Sequence, residues 1–267
     1  MIDILLLILL GSVTGILSGY LGIGGGIVVV PVLTEIFINR RMPIDQVMTV
    51  AFATSLFQAV FTTGSSAWRQ WRQDNLLMKA VPIATGGAII GSQLGAYLGS
   101  RLQGGVLMVM FGGFLLLAAI NLAVGKPKHG NAGEIRFPTL PLLTLGLITG
   151  VVSALFGIGG GILMVPVFIL LFRYPSGKVA GTSSAIGFLT TISGVVGYLL
   201  YGAERAGNTA GFVGVIDLSV ALPIALGTLI CAPIGAKWNK KFGGAVYQKI
   251  FAVFLIVIAL RMLIRAL

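Results

Sequence analysis

The chain is poor in side chains that carry chemistry in water. Charged residues make up 9% of it, and it has one histidine and one cysteine. A zinc site needs several ligands, and a disulfide within the chain needs a second cysteine. Enzymes that act in membranes need a nucleophile with a base or a metal, so this scarcity argues against enzymatic activity. We therefore expect no catalytic residue, no metal and no cofactor.

Apolar residues are abundant instead. They make up 57% of the 267 residues, and the mean hydropathy is +1.02. Runs of about 20 apolar residues, long enough to cross a bilayer, recur along the chain. The net charge of +11 could suggest nucleic acid, but the basic residues fall in short loops between apolar runs, as in membrane proteins. We expect a multi-pass protein of the cytoplasmic (inner) membrane, surrounded by lipid, that binds no nucleic acid.

The chain contains an internal repeat. The stretch from Gly15 to Val32 returns 135 residues later, from Gly150 to Val167, with 11 of 18 positions identical. Each copy contains GIGGG followed by a proline, which favours a helix, a break and a short helix. In lipid, an irregular backbone is tolerated only where protein buries it or where it lines a cavity. Matching breaks in two halves indicate a transporter's binding site.

The apolar runs divide into five segments per half. We predict an all-α membrane protein with a first repeat over residues 1–125, a polar linker over 126–138 and a second repeat over 139–267. Each half consists of two segments separated by the Gly-rich break, followed by three further spans. In the second half, the segment before the break is Thr139 to Phe156. In the same half, Val215 to Ala236 is the fourth segment.

The basic residues favour one topology over another. If each broken segment crosses once, the 18 Lys and Arg residues divide nine to nine between the faces. If each short segment turns back as a re-entrant hairpin, they divide twelve to six, which satisfies the positive-inside rule. We prefer the hairpins, which would make the two halves inverted repeats. The six basic residues on the outer face would then be Arg40, Arg41, Arg101, Arg205, Arg261 and Arg265.

The doubled motif resembles a known family. The patterns GxLSGxxGIGGGxxxVPxL and GxxSxLFGIGGGxxxVP, followed by Ala53-Thr54-Ser55 and by Gly181 to Ser184, are similar to those of the TauE/SafE sulfite and sulfonate exporters. The similarity spans essentially the whole chain. It implies a secondary carrier for small anions such as sulfite or an organosulfonate. An uptake permease for another organic anion and a passive anion channel stay as alternatives.

Backbone and hydroxyl groups near the breaks could bind such an anion. Free N–H groups at helix starts attract negative charge, and glycine lets an oxyanion approach the backbone closely. Close helix packing is the alternative role of the glycines, and bonds to the preceding helical carbonyls are the alternative for the hydroxyls. The candidate substrate-binding residues are Ser18, Gly24, Gly25, Gly26, Thr54, Ser55, Ser153, Gly159, Gly160, Gly161, Thr182 and Ser183.

One carboxylate lies within an apolar segment. Glu35 follows the first break and is a candidate for proton coupling, because intramembrane carboxylates are functional suspects. It could instead lie at the interface and pair with Arg40 or Arg41, which we favour. The small-residue run from Gly86 to Gly99 indicates close helix packing, within the fold or in a homodimer.

Overall fold

The structure, a computed structural model, describes residues 4–21, 25–124, 137–205, 211–242 and 245–266. Within these ranges the chain is almost entirely helical, as predicted, with one short 3-10 helix at Ala203–Arg205. The first half forms α1 Ile4–Leu21, α2 Gly26–Asn39, α3 Ile44–Arg72, α4 Ala80–Arg101 and α5 Gly104–Val124. The second half forms α6 Thr139–Phe156, α7 Gly161–Leu170, α8 Ser176–Tyr201, β1 Phe212–Val213, β2 Ile216–Asp217, α9 Leu218–Phe242 and α10 Ala245–Ala266.

Five of these helices are long and apolar enough to cross a membrane. They lie at Ile44–Arg72, Gly104–Asn121, Thr139–Phe156, Gly177–Tyr201 and Leu218–Gly235. Shorter apolar helices include Gly26–Asn39. The prediction of a polytopic α-helical membrane protein is therefore confirmed. The predicted linker lies almost wholly outside the described residues, and the repeat boundaries stay a prediction.

The boundaries of the helices follow proline chemistry. Pro43, Pro138 and Pro175 directly precede α3, α6 and α8. Proline lacks an N–H group and disfavours a helical conformation in the residue before it. Each of these prolines therefore stands directly before the first residue of a new helix, and no helix continues through it. The longest helices of both halves, α3 and α8, start in this way.

The prediction for the start of α9 was wrong. The fourth segment of the second half was expected to begin at Val215, but the helix begins at Leu218, and a β-hairpin precedes it. Gly211 and Gly214 have φ values of 95° and 60°, in the left-handed region that glycine adopts most readily. These two glycines turn the backbone into the hairpin, in which Phe212 pairs with Asp217.

Small residues let helices of different halves pack closely. On α4, Gly87, Gly91 and Gly95 recur every four residues and lie against the α6 backbone, where a Cβ would overlap the carbonyl oxygens of Leu143, Leu147 and Val151. On α1, Gly11 and Gly15 pack in the same way against Ile224 and Thr228 of α9. The first helix of each half thus packs against the fourth helix of the other. The close packing expected from the glycine run occurs within the fold, and a homodimer stays a prediction.

The two longest helices are antiparallel. Along α3 the numbering rises from Leu56 to Ser66, while the residues they face on α8 fall from Gly194 to Ser184. By the same reasoning α2 is antiparallel to α3: Thr34 contacts Met48, and Val30 and Phe52, each four residues farther from the turn, both lie against Gly157. The helix pairs α1 with α9 and α4 with α6 are parallel, since their contacts rise together in sequence.

These directions define two ends of the molecule. We call the first the Arg40 end; it contains residues 40–43, 102–103, 202–205 and 211–217 and the last two turns of α10. Gly104 packs there on the Ile44 carbonyl, and Arg265 reaches Glu35. We call the second the Lys79 end; it contains residues 73–79 and the starts of α4, α6 and α8. There the Thr182 hydroxyl accepts a hydrogen bond from the Leu77 N–H group.

Candidate functional site

The second glycine motif forms an irregular turn between α6 and α7. Gly157, Gly159 and Gly160 have φ values of 66°, 83° and 78°. A side chain in this left-handed region costs about 1–2 kcal/mol, which is why three glycines are needed within four residues. Gly157 ends α6, and the turn exposes peptide groups that a continuous helix would have used.

This turn lies at the middle of the two longest helices. Gly159 faces Ala59 and Thr63 of α3 and Thr191 of α8, and Gly160 faces Gly187 of α8. Ala59 lies close to the midpoint of α3, which spans Ile44–Arg72. Since α3 is long enough to cross a bilayer, the turn lies deep between the two ends of the protein. It is also shielded, because residues 153–160 are all buried.

The two glycine motifs meet inside the protein. Gly26, at the start of α2, packs against the carbonyl of Gly157 so closely that a Cβ would overlap it, and that Cβ would lie 2.5 Å from Cα of Ile158. Gly25 is buried and has φ −69°, so it is right-handed, unlike Gly160, its equivalent in the second motif. Gly24 lies outside the described residues. Where they are described, the two motifs therefore differ in conformation.

Ser153 supplies a buried hydroxyl beside the second turn. It is 1% exposed, and its Oγ has no hydrogen-bond partner among the described residues. That Oγ lies 3.6 Å from the position that a Cβ on Gly160 would occupy, so it is next to the glycine. An unsatisfied buried hydroxyl costs about 1–3 kcal/mol, so a native structure needs a reason to keep one. A bound ligand is such a reason.

The same turn also contains backbone N–H groups without a hydrogen bond among the described residues. Within the described part of the chain, no hydrogen bond engages the N–H groups of Gly159 and Gly160. Gly161 begins α7 and donates its N–H to the Gly159 carbonyl at 3.1 Å. The first N–H groups of a helix have no helical partner and carry partial positive charge. Hydroxyl and N–H donors around a small space are suited to an anion.

Ser55 holds the turn in place. Its hydroxyl is fully buried and donates to the Gly157 carbonyl oxygen at 2.8 Å, joining α3 to the turn. Because that hydroxyl is already used, Ser55 positions the turn in this structure and has no free donor for a ligand. It lies at the second turn, and a role in substrate binding stays a prediction.

Three other predicted hydroxyls lie elsewhere. Thr54 accepts a hydrogen bond from the Asp217 N–H group at 3.1 Å, where α9 begins. Thr182 contacts Leu77 at the Lys79 end, and Ser183 donates to the Ala180 carbonyl of its own helix. The structure therefore does not bring these three to the glycine turn. The side chain of Ser18 lies outside the described residues.

Glu35 lies away from the turn and is paired. It accepts hydrogen bonds from Arg261 at 3.1 Å and Arg265 at 3.0 Å, both on α10. The prediction that its partner would be Arg40 or Arg41 was wrong, since Arg40 pairs with Asp217 at 2.6 Å. The sequence could not reveal which distant helix would reach Glu35. A proton-coupling role for Glu35 stays a prediction.

A buried amide side chain also lies near the second glycine turn. Gln58 is fully buried on α3, next to Ala59, and its Nε2 donates to Thr228 of α9 at 2.7 Å. This bond fits the expectation that polar side chains join membrane helices. Its Oε1, however, has no partner among the described residues. The only signal in the sequence was an amide within a predicted span.

Thr63 and Thr191 were also missed. They come from equivalent helices, and their hydroxyl oxygens are 3.4 Å apart. Both hydroxyls donate to carbonyls of their own helices, at Ala59 and Phe188, and the methyl groups of the two threonines face Gly159. Nothing in the two sequence stretches marks this meeting, because it depends on where two antiparallel helices cross.

These features define a class of protein. A bundle of apolar helices that surrounds broken helices and buried polar groups at its centre is typical of membrane transporters. The chain matches the sulfite exporter TauE/SafE family over residues 7–262 and belongs to that family. It is therefore a multi-pass protein of the cell membrane.

Several curated proteins resemble this chain along most of its length. A probable membrane transporter protein of Methanocaldococcus jannaschii is 33% identical over 241 residues, covering 88% of this chain and 86% of that protein. A second, from Bacillus subtilis, is 28% identical and covers 97% of this chain and 96% of its own length. A third, from Haemophilus influenzae, is 28% identical over 98% of both chains. No solved structure matches the chain significantly.

Proposed function

We propose that this chain is a secondary carrier that exports small sulfur-containing anions, such as sulfite or an organosulfonate, by alternating access to the second glycine turn. One observation carries the proposal: the buried hydroxyl of Ser153 has no partner among the described residues and lies beside the left-handed Gly160. The family's description as sulfite exporters supports both the substrate class and the direction.

The site would bind its anion without a buried cation. Described Lys and Arg residues lie near the helix ends, so the donors available at the turn are the Ser153 hydroxyl and the N–H groups of Gly159 and Gly160. Neutral donors neutralise an anion less completely than an ion pair does. Such moderate binding suits a carrier, because the substrate must also be released on the other side.

Alternating access would follow from inverted repeats. The antiparallel directions of α3 and α8, which are equivalent helices, support this arrangement, as does the pairing of each first helix with the fourth helix of the other half. α1 runs parallel to α9, which begins at the Arg40 end, whereas α2 finishes at that same end, and this reversal between α1 and α2 supports the re-entrant hairpin. In this topology the Lys79 end faces the cytoplasm, because it receives twelve of the 18 basic residues.

Flux measurements test this proposal directly. The purified protein would be reconstituted in sealed vesicles, and uptake of radiolabelled sulfite, sulfate and a small sulfonate would be measured with and without a pH gradient. We expect saturable flux of sulfite or the sulfonate, whereas flux that never saturates would indicate a channel. No flux of any of the three, from folded protein, would refute the substrate class.

A further inference from the structure

Three groups of ion pairs at the Arg40 end each join one half of the chain to the other. Arg40 pairs with Asp217 at 2.6 Å, and Arg101 pairs with Glu204 at 2.8 Å. The third group, formed by Glu35 with Arg261 and Arg265, is described above. In every group the first half supplies one sign of charge and the second half the other. The halves cannot separate at this end unless these contacts break.

The pair of Arg40 and Asp217 differs from the other two groups in burial. The Asp217 side chain is 0% exposed, whereas that of Glu204 is 74% exposed. Asp217 also accepts hydrogen bonds from the Ser219 hydroxyl at 2.5 Å and the Val220 N–H group at 3.3 Å. An exposed ion pair contributes little to the stability of the fold. Removing the cation from a buried carboxylate destabilises the fold strongly, because the buried charge is then unpaired.

This pair is also connected to the glycine turn. The N–H group of Asp217 donates to Thr54 on α3, and the next residue, Ser55, donates to the Gly157 carbonyl. Two adjacent residues of one helix therefore contact the start of α9 and the second glycine turn. A shift of α3 that released the turn would also disturb Asp217.

We propose that Arg40 and Asp217 form the latch that keeps the Arg40 end closed, and that this latch opens when the site becomes accessible from that end. The inference rests on the alternating access proposed above. It assigns Thr54 a different role from the one predicted from sequence, since Thr54 links the latch to the turn and does not touch the substrate. Arg40 and Asp217 are positioning residues in this scheme.

The test measures access to the site without any substrate. A reporter cysteine replaces Ala59, which is buried against Gly159, in a Cys231→Ser background. Its labelling by a membrane-impermeant maleimide is timed in vesicles of both orientations, and labelling of Asn39→Cys in separate samples identifies the Arg40 side. We expect Arg40→Gln to raise the labelling rate from that side by roughly tenfold, in the usual range of conformational coupling.

Arg41→Gln is the matched control, because it removes the same charge from the same exposed turn. Equal rises in both variants, or no rise in Arg40→Gln, would overturn the latch. If Arg40→Gln does not purify as monodisperse protein, Asp217→Asn decides: it breaks the same ion pair without leaving a buried carboxylate unpaired, so faster labelling supports the latch and an unchanged rate refutes it. Substrate flux through the unmodified protein is measured separately, so failure of the latch and failure of the carrier proposal remain distinct.

Discussion

The two copies of the GIGGG motif use glycine for different physical reasons. Gly26, in the first copy, has no room for a side chain, since it packs on the backbone of Gly157 and Ile158. A Cβ on Gly160, in the second copy, would come no closer than 3.6 Å to another residue, at Ser153. This position favours glycine because its φ is 78°. Gly26 is therefore required by close packing, and Gly160 by its left-handed backbone.

The largest effect should come from removing the close contact. Gly26→Ala would place a Cβ against backbone atoms that cannot rotate away, and overpacking of this kind costs about 3 kcal/mol. We expect a lower thermal unfolding temperature in detergent and little monodisperse protein. Gly86→Ala is the control, because its Cβ would meet nothing within 4 Å. Equal stability of the two variants would show that the motifs are not in contact as described.

Gly160→Ala should separate function from stability. The new methyl group fits the space, but the left-handed backbone becomes less favourable by about 1–2 kcal/mol, and the methyl occupies the proposed anion site. We expect folded protein with at least about tenfold slower flux, comparable to a lost charge-assisted hydrogen bond. Gly113→Ala on α5, where a Cβ also meets nothing within 4 Å, should transport normally. Normal flux in both variants would remove the site assignment.

Ser153→Ala tests the donor without changing the backbone. Because its hydroxyl has no partner in the described part of the chain, we expect stability to stay the same or rise slightly, while KM for the anion rises by roughly tenfold for the lost hydrogen bond. Thr149→Val is the matched control: Thr149 lies one turn earlier on α6 and donates only to carbonyls of that helix. An unchanged KM in Ser153→Ala would contradict a role in binding.

The smallest effect should follow from an exposed ion pair far from both motifs. Arg101 and Glu204 have side chains that are 51% and 74% exposed, so their pairing should contribute less than about 1 kcal/mol. Arg101→Gln should therefore leave the unfolding temperature and the flux nearly unchanged at physiological salt. A large loss of thermal stability or of flux would mean that this pair, as well as the pair of Arg40 and Asp217, holds the two halves together at the Arg40 end.

Much of the architecture could be predicted from sequence, and the site only in part. Long apolar runs predicted the helices because lipid requires every backbone group to be paired within a segment. The repeat located Gly160 and Ser153, which the structure brings together. Thr182 was selected on the same grounds but contacts Leu77 instead, because a motif does not state which side of a helix faces inward.

The sequence by itself determined that this is a helical membrane protein, that its helices break at two glycine motifs, and that it resembles one transporter family. Tertiary structure decided which glycine has no room for a side chain, that the Ser153 hydroxyl finds no partner among the described residues, and which arginine pairs with Asp217. Local periodicity and composition depend on neighbours along the chain, so the sequence records them. Partners such as Arg40 and Asp217, 177 residues apart, are set by how helices of the two halves pack against each other. That packing depends on the shapes of all the contacting surfaces together.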